Sequence, residues 1–168
     1  VGREISLPLK LAVVSIKDAV ARFTEDPAIR VIVLTGAVDS AFVAGADISE
    51  FEALRATAEG AAHYNAVHEG ADLALYHCPK PTVAMLRGAC VGGGMGIALA
   101  CDLRIAVPGA KFFYPVMKLG FLPQPSDPVR MAALIGPART KWMLMAGQKI
   151  ETEQALAFGL VDQIVETE

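Results

Sequence analysis

A chain of 168 residues with 54% hydrophobic and 20% charged residues carries enough apolar material for one well-buried domain, hiding roughly 70% of the surface its unfolded form exposes. The net charge of −3 and the lack of a basic tract remove any electrostatic case for nucleic acid or an anionic membrane surface. Cys78, Cys90 and Cys101 are odd in number and lack metal-ligand spacing, so they read as free thiols; with no signal-like or membrane-length apolar run, the expected location is the cytoplasm.

In chain order, the apolar stripe Leu9, Ala12, Val13, Ile16, Ala19, Val20 and Phe23 predicts an amphipathic helix with Lys10, Lys17, Asp18 and Arg22 on its other face. Asp26-Pro27 ends it. The β-branched run Val31 to Leu34, closing at Thr35-Gly36, predicts a parallel strand covered on both faces. Ala41 to Asp47 reads as a loop before a helix opening near Ile48, with Asp47 and Glu50 fitting a capping box. A second helix, from about Glu59 to Tyr76, stops before Pro79 and Pro81; its His63 and His68 miss metal-pair spacing and read as ordinary surface or packed side chains.

Strand Thr82 to Arg87, a corner at Gly92, Gly93 and Gly94, a small-residue helix to Ala100 and strand Leu103 to Val107 form a β-α-β pass. A short strand, Lys111 to Tyr114, precedes the proline-rich segment Pro115 to Pro128. Helices are expected near Val129 to Ile135, Pro137 to Met145 and Thr152 to Phe158, the last stopped by Gly159, and Leu160 to Val165 closes as a strand. The order specifies an α/β fold.

The glycine corner is the stretch with a chemical preference. Three glycines feeding a helix N-terminus aim unpaired N–H groups and the positive dipole end at one point, which suits an oxygen gaining negative charge. Tight helix-strand packing alone could also account for such a corner. A second turn of the same kind, AFVAGADISE at Ala41 to Glu50, would however supply a second backbone donor, and two converging donors make an oxyanion hole. The corner lacks the G-x-G-x-x-G spacing of dinucleotide sites, and neither a phosphate-binding loop nor a serine-hydrolase elbow occurs.

Four stretches, DPAIRVIVLTG, AFVAGADISEF, PKPTVAMLRGACVGGGMGIALACDLRIA and FGLVDQIVE, resemble the crotonase superfamily, also called enoyl-CoA hydratase/isomerase, and the resemblance spans nearly the whole chain. The resemblance implies a spiral of ββα units, as in the wider ClpP/crotonase fold, in one core domain over residues 1–168, and a homo-oligomer, trimer or hexamer. It implies an acyl-CoA thioester substrate, coenzyme A entering as part of that substrate, and no separate cofactor or metal. By motif position the oxyanion-hole amides would be Ala46 and Gly93, with Ala44, Asp47, Ile48, Gly92 and Val116 lining the substrate and Arg3 a candidate phosphate contact. Measured against such relatives the chain reads as short, without their N-terminal hairpin and C-terminal helical segment.

The departures carry as much weight. The two positions where hydratases of the family place glutamates hold Gly96 and Val116, and neither can move a proton. A third position, acidic in some isomerases and a dehalogenase, holds Gln124. The remaining candidate proton handlers are Asp127 and Tyr114, although Asp127 equally suits a helix start before Pro128. The expected function is thioester binding with enolate stabilisation and isomerase, decarboxylase or lyase chemistry. The alternative is a catalytically silent CoA-binding or assembly module; a Clp-type peptidase is disfavoured, since no serine stands at the corner.

Overall fold

The computed structural model describes residues 2–7, 13–45, 56–120 and 122–166. Two sheets organise them. The first runs β1 (Gly2–Leu7), β2 (Val31–Gly36), β4 (Thr82–Leu86), β6 (Leu103–Ala106) and β9 (Gln163–Ile164), with every neighbouring pair parallel. The second runs β3 (Ala41–Val43), β5 (Ala89–Val91), β7 (Lys111–Phe113) and β8 (Ile150–Glu151), parallel except for the β7–β8 pair. The α/β class and the parallel sheet expected from the sequence are present.

A strand of the first sheet, a glycine corner and a strand of the second sheet recur three times, as β2–β3, β4–β5 and β6–β7. Two of the corners require glycine because neighbouring backbone comes too close for a side chain: a Cβ on Gly88 would collide with the Ser40 carbonyl oxygen, and one on Gly36 with that of Ala41, whereas Gly109 has open space and takes φ +77°. Gly88 also has φ +58°. This geometric repeat is invisible as a sequence repeat. It also corrects the reading of Ala41 to Asp47 as loop, whose first three residues form β3, and divides the Thr82–Gly94 stretch between strands in both sheets.

Helix α1 (Val13–Glu25) buries Ile16 and Val20 while Lys17, Asp18 and Arg22 stay exposed, as its periodicity predicts. Helix α2 (Ala58–Tyr76) starts at Thr57, whose hydroxyl accepts from the Gly60 N–H at 3.0 Å, and buries His68, Ala71, Asp72 and Leu75. Helix α3 (Gly93–Ala100) is almost wholly buried. The two helices expected over Val129–Ile135 and Pro137–Met145 are present as the two halves of one continuous segment, α4 (Asp127–Met145), separated where Gly136 takes the non-helical φ 79° and ψ 161° ahead of Pro137. Helix α5 (Thr152–Phe158) ends at left-handed Gly159, and the strand expected over Leu160–Val165 shrinks to β9.

Ile32 and Leu34 are fully buried, whereas Val31 and Val33 remain half-buried, so β2 is not covered equally on both faces as expected. One core joins them to Phe42, Leu86, Met95, Ile97, Phe112, Met131 and Met143. The C-terminal segment is tied in by Arg104. Its Nε donates to Leu160 O at 3.0 Å, Nη1 to Cys101 O at 2.8 Å, and Nη2 to Asp162 Oδ2 at 3.0 Å. Among the described residues no helix is long and apolar enough to cross a membrane, and no group of His, Cys, Asp and Glu is placed to hold a metal ion.

Candidate active site at the glycine corner

Strands β3 and β5 lie side by side and parallel, Ala41 opposite Ala89 and Val43 opposite Cys90. Neighbouring strands stand about 4.8 Å apart, so the turns that follow them leave the sheet at one edge. β5 passes through Gly92, at φ 54° and ψ −115°, into α3. The Gly92 carbonyl accepts from the N–H groups of Met95 and Gly96, and the Gly92 N–H donates to Phe113 O at 3.2 Å. The Gly93 amide, first in the helix and half-buried, donates to no acceptor among the described residues. On the other side β3 runs into exposed Ala44 and then Gly45, where an added Cβ would stand 3.9 Å from Val91 O. Ala46, Asp47, Ile48 and the capping pair with Glu50 lie outside the described residues.

Arg3 sits in β1 opposite Ile32, its side chain lying outside the described atoms. Val116 is half-buried on a 3-10 turn (Pro115–Leu119) and packs against the core. Gln124, Asp127 and Tyr114 belong to one neighbourhood: the Tyr114 hydroxyl donates to Asp127 Oδ2 at 2.5 Å, and the Gln124 amide Nε2 donates to Asn65 Oδ1 at 3.3 Å. Asp127 does begin α4, but its carboxyl turns inward, with no exposed surface on the residue.

Sequence reasoning missed Asp72 and Arg130, which complete this cluster. Arg130 Nη1 stands 3.8 Å from Asp72 Oδ2 and 3.9 Å from Asp127 Oδ1, while its guanidinium lies 5.0 Å over the Tyr76 ring. A signal for Asp72 was available. His68, Ala71, Asp72 and Leu75 share one helical face, so a carboxylate stands in an apolar stripe.

Burial, and then the Asp127 charge, push the Asp72 carboxyl up to about 8 against the pull of Arg130. Burial raises Asp127 to about 6, with the Tyr114 hydrogen bond and Arg130 pulling it down. Tyr114 is driven far up, chiefly by burial and then by the Asp127 charge, so it stays a donor. Cys90, next to the corner, is likewise raised by burial, which argues against a thiolate nucleophile. A cleft of about 690 Å³ lies between Arg87, Pro108, Gly109 and Val165, and its lining includes neither Gly92 to Gly94 nor this cluster.

Residues 10–168 match the sequence profile of the enoyl-CoA hydratase/isomerase family. The chain is 35% identical over 159 residues to a crotonyl-CoA hydratase of Syntrophomonas wolfei, covering 95% of this chain and 60% of that protein. It is 35% identical to a carnitinyl-CoA dehydratase of Citrobacter koseri, covering 85% of this chain and 54% of that protein. Among solved structures, an enoyl-CoA hydratase/isomerase family protein from Hyphomonas neptunium superposes with a TM-score of 0.90 at 38% identity, over 94% of this chain and 62% of that one. The chain thus spans a little over half the length of these two curated relatives. With the profile covering nearly the whole chain and the fold superposing on solved relatives, the protein belongs to the enoyl-CoA hydratase/isomerase, or crotonase, family.

Proposed function

We propose that the protein binds an acyl-CoA thioester and stabilises its enolate between the backbone amides of Gly93 and Ala46, moving protons by a route other than a glutamate pair. The observation that carries this reading is that the Gly93 amide, uncommitted among the described residues, lies at the edge where parallel β3 and β5 release their turns. A donor aimed at a developing oxyanion typically lowers the barrier by about 3–4 kcal/mol. Ala44, Asp47, Ile48, Gly92 and Val116 would line the acyl and pantetheine path, with Arg3 toward the phosphates. Asp127 and its hydrogen-bonded Tyr114 would handle the proton, Gln124 holding the segment before them.

Gly96 and Val116 cannot activate water, so crotonyl-CoA hydration is expected to run about 10²–10⁴-fold below that of an enzyme with both carboxylates. Isomerase, decarboxylase or other lyase chemistry on the thioester is expected instead. By likeness to the family the working form is a trimer or hexamer in the cytoplasm.

Calorimetry with acetyl-CoA and crotonyl-CoA, run beside isomerase, decarboxylase and hydratase assays, tests the proposal. Binding with turnover in a non-hydratase assay is the expected outcome. Binding without any turnover would assign a silent module, a reading that the loss of both glutamate positions favours; full hydratase activity would contradict the proposal.

A further inference from the structure

Gly96 lies one helical turn beyond Gly93 on α3, and two acidic side chains from other helices occupy the space its own side chain would fill. A Cβ there would stand 3.0 Å from Asp127 Oδ2, 3.2 Å from Asp127 Oδ1 and 3.2 Å from Asp72 Oδ2. Asp72 comes from α2 and Asp127 from α4, and they are 4% and 0% exposed. The missing side chain of one helix is therefore replaced in space by carboxyls from two others.

A buried network of this sort would ordinarily be fully hydrogen-bonded. This one is not. Gln124 Oε1, Asp127 Oδ1 and Arg130 Nη1, all on the stretch 124–130, are buried without a hydrogen-bond partner among the described residues. Asp127 Oδ2 is taken by Tyr114, which leaves Oδ1 as its open acceptor. Charge counting is equally constraining. Two ionised carboxylates beside one guanidinium leave a net −1 in a buried site, whereas retaining one proton brings the sum to zero. Glu69, one turn before Asp72 on α2 and bonded by the Ser126 hydroxyl at 2.9 Å, adds further negative potential, and the Cys101 thiol at the end of α3 stays neutral.

We infer that Asp72, Asp127 and Arg130 form a single one-proton unit over Gly96, in which Asp127 exchanges the thioester α-proton and Asp72 is a positioning residue that keeps the unit neutral. This rests on the thioester reading proposed above. In the forward step the Asp127 carboxylate takes the α-proton, the C–H electron pair becomes the Cα–C1 π bond, and the carbonyl pair moves onto the thioester oxygen beside the Gly93 amide. Reversal returns a proton from Asp127 to the carbon, so no further reactant is consumed. The raised values of both carboxyls accord with this division of labour, since Asp127 would be ionised and Asp72 protonated near neutrality.

The test is exchange of the α-protons of butyryl-CoA in D₂O, followed by proton NMR from pH 5 to 9.5, with binding measured separately by calorimetry. The parent should give a profile rising near pH 6 and falling near pH 8, where ionised Asp72 opposes the enolate charge. Asp127→Asn should lose at least 100-fold in exchange, and Asp72→Asn should keep the rising limb and lose the falling one. Thioester binding with an Asp72→Asn profile superimposable on the parent, or exchange undiminished in Asp127→Asn, overturns the inference. Should butyryl-CoA fail to bind, the thioester reading falls, and a carbon-13 carboxyl titration of the parent decides the unit itself. One buried aspartate still protonated above pH 7 upholds it; two independent ionisations in the ordinary carboxylate range overturn it.

Discussion

The Tyr114 hydroxyl stands 2.5 Å from Asp127 Oδ2, and the two groups, thirteen positions apart in sequence, are both buried. The bond ties the end of β7 to the start of α4, and it sets which oxygen of Asp127 remains open. Because it favours the ionised carboxylate, it also holds Asp127 below the value that burial alone would impose.

Tyr114→Phe should therefore move the acid limb of any Asp127-dependent activity upward from about pH 6, the sign following from loss of a bond to the charged form. A shift of about one pH unit corresponds to ~1.4 kcal/mol, within the range for a hydrogen bond to a charged group. A pH-rate profile of the variant beside the parent checks this. An unmoved limb would separate Asp127 from the titrating group.

Asp72 makes a prediction about stability that needs no substrate. Its carboxyl is raised from 3.8 to about 8 in the fold, mainly by burial. Between those values the folded form retains a proton that the unfolded chain releases, so stability falls as pH rises through the window and levels off above it. Each pKa unit realised is worth ~1.4 kcal/mol, or roughly 3–5 °C in Tm for a domain of this size. Melting curves from pH 5 to 9 should slope downward in the parent, and more shallowly in Asp72→Asn. Equal slopes would show that Asp72 is ionised in the fold.

The course of the main elements was legible because each has a strong local cause. The α1 stripe, the proline stop after Tyr76 and the Gly159 cap announce themselves in a few residues. β3, β5 and β8 were not legible, since such short strands exist through partners elsewhere in the chain; β7, equally short, was legible from the Pro108-Gly109 turn before it. The glycine corner was readable for the same local reason as the caps. The Asp72–Asp127–Arg130 cluster was only half readable: Asp127 stood out beside Pro128, whereas Asp72 acquires its meaning from α4, packed against it across the bare face of Gly96.

That bare face predicts a failed restoration. Gly96→Glu puts a carboxylate back at the position the family resemblance marks, yet its Cβ would meet the Asp127 and Asp72 oxygens at 3.0–3.2 Å and add a third carboxyl, and a second negative charge, to a buried pair. An uncompensated buried charge costs roughly 3–5 kcal/mol, so the variant should melt well below the parent and gain no crotonyl-CoA hydration. Combining it with Asp127→Gly should recover much of the stability by clearing the space. A single variant that folds normally and hydrates crotonyl-CoA would mean the carboxyls over Gly96 yield readily.

Gly92→Ala isolates the backbone geometry of the corner from its packing. No atom lies within 4 Å of the added Cβ, so a clash plays no part, but φ +54° is a conformation that residues with a side chain rarely adopt. Relieving the strain, typically about 1–3 kcal/mol, would rotate the peptide that leads into α3 and swing the Gly93 N–H away from its present direction. If that amide supports the enolate, turnover of a thioester substrate should fall by about 10²-fold while its KM changes little, because the interaction develops only as charge builds on the oxygen. Steady-state kinetics with a melting curve for the same variant distinguish this from simple unfolding. A well-folded Gly92→Ala protein with parent turnover would remove the Gly93 amide from the reaction, and the oxyanion donor would have to be sought elsewhere on the β3–β5 edge.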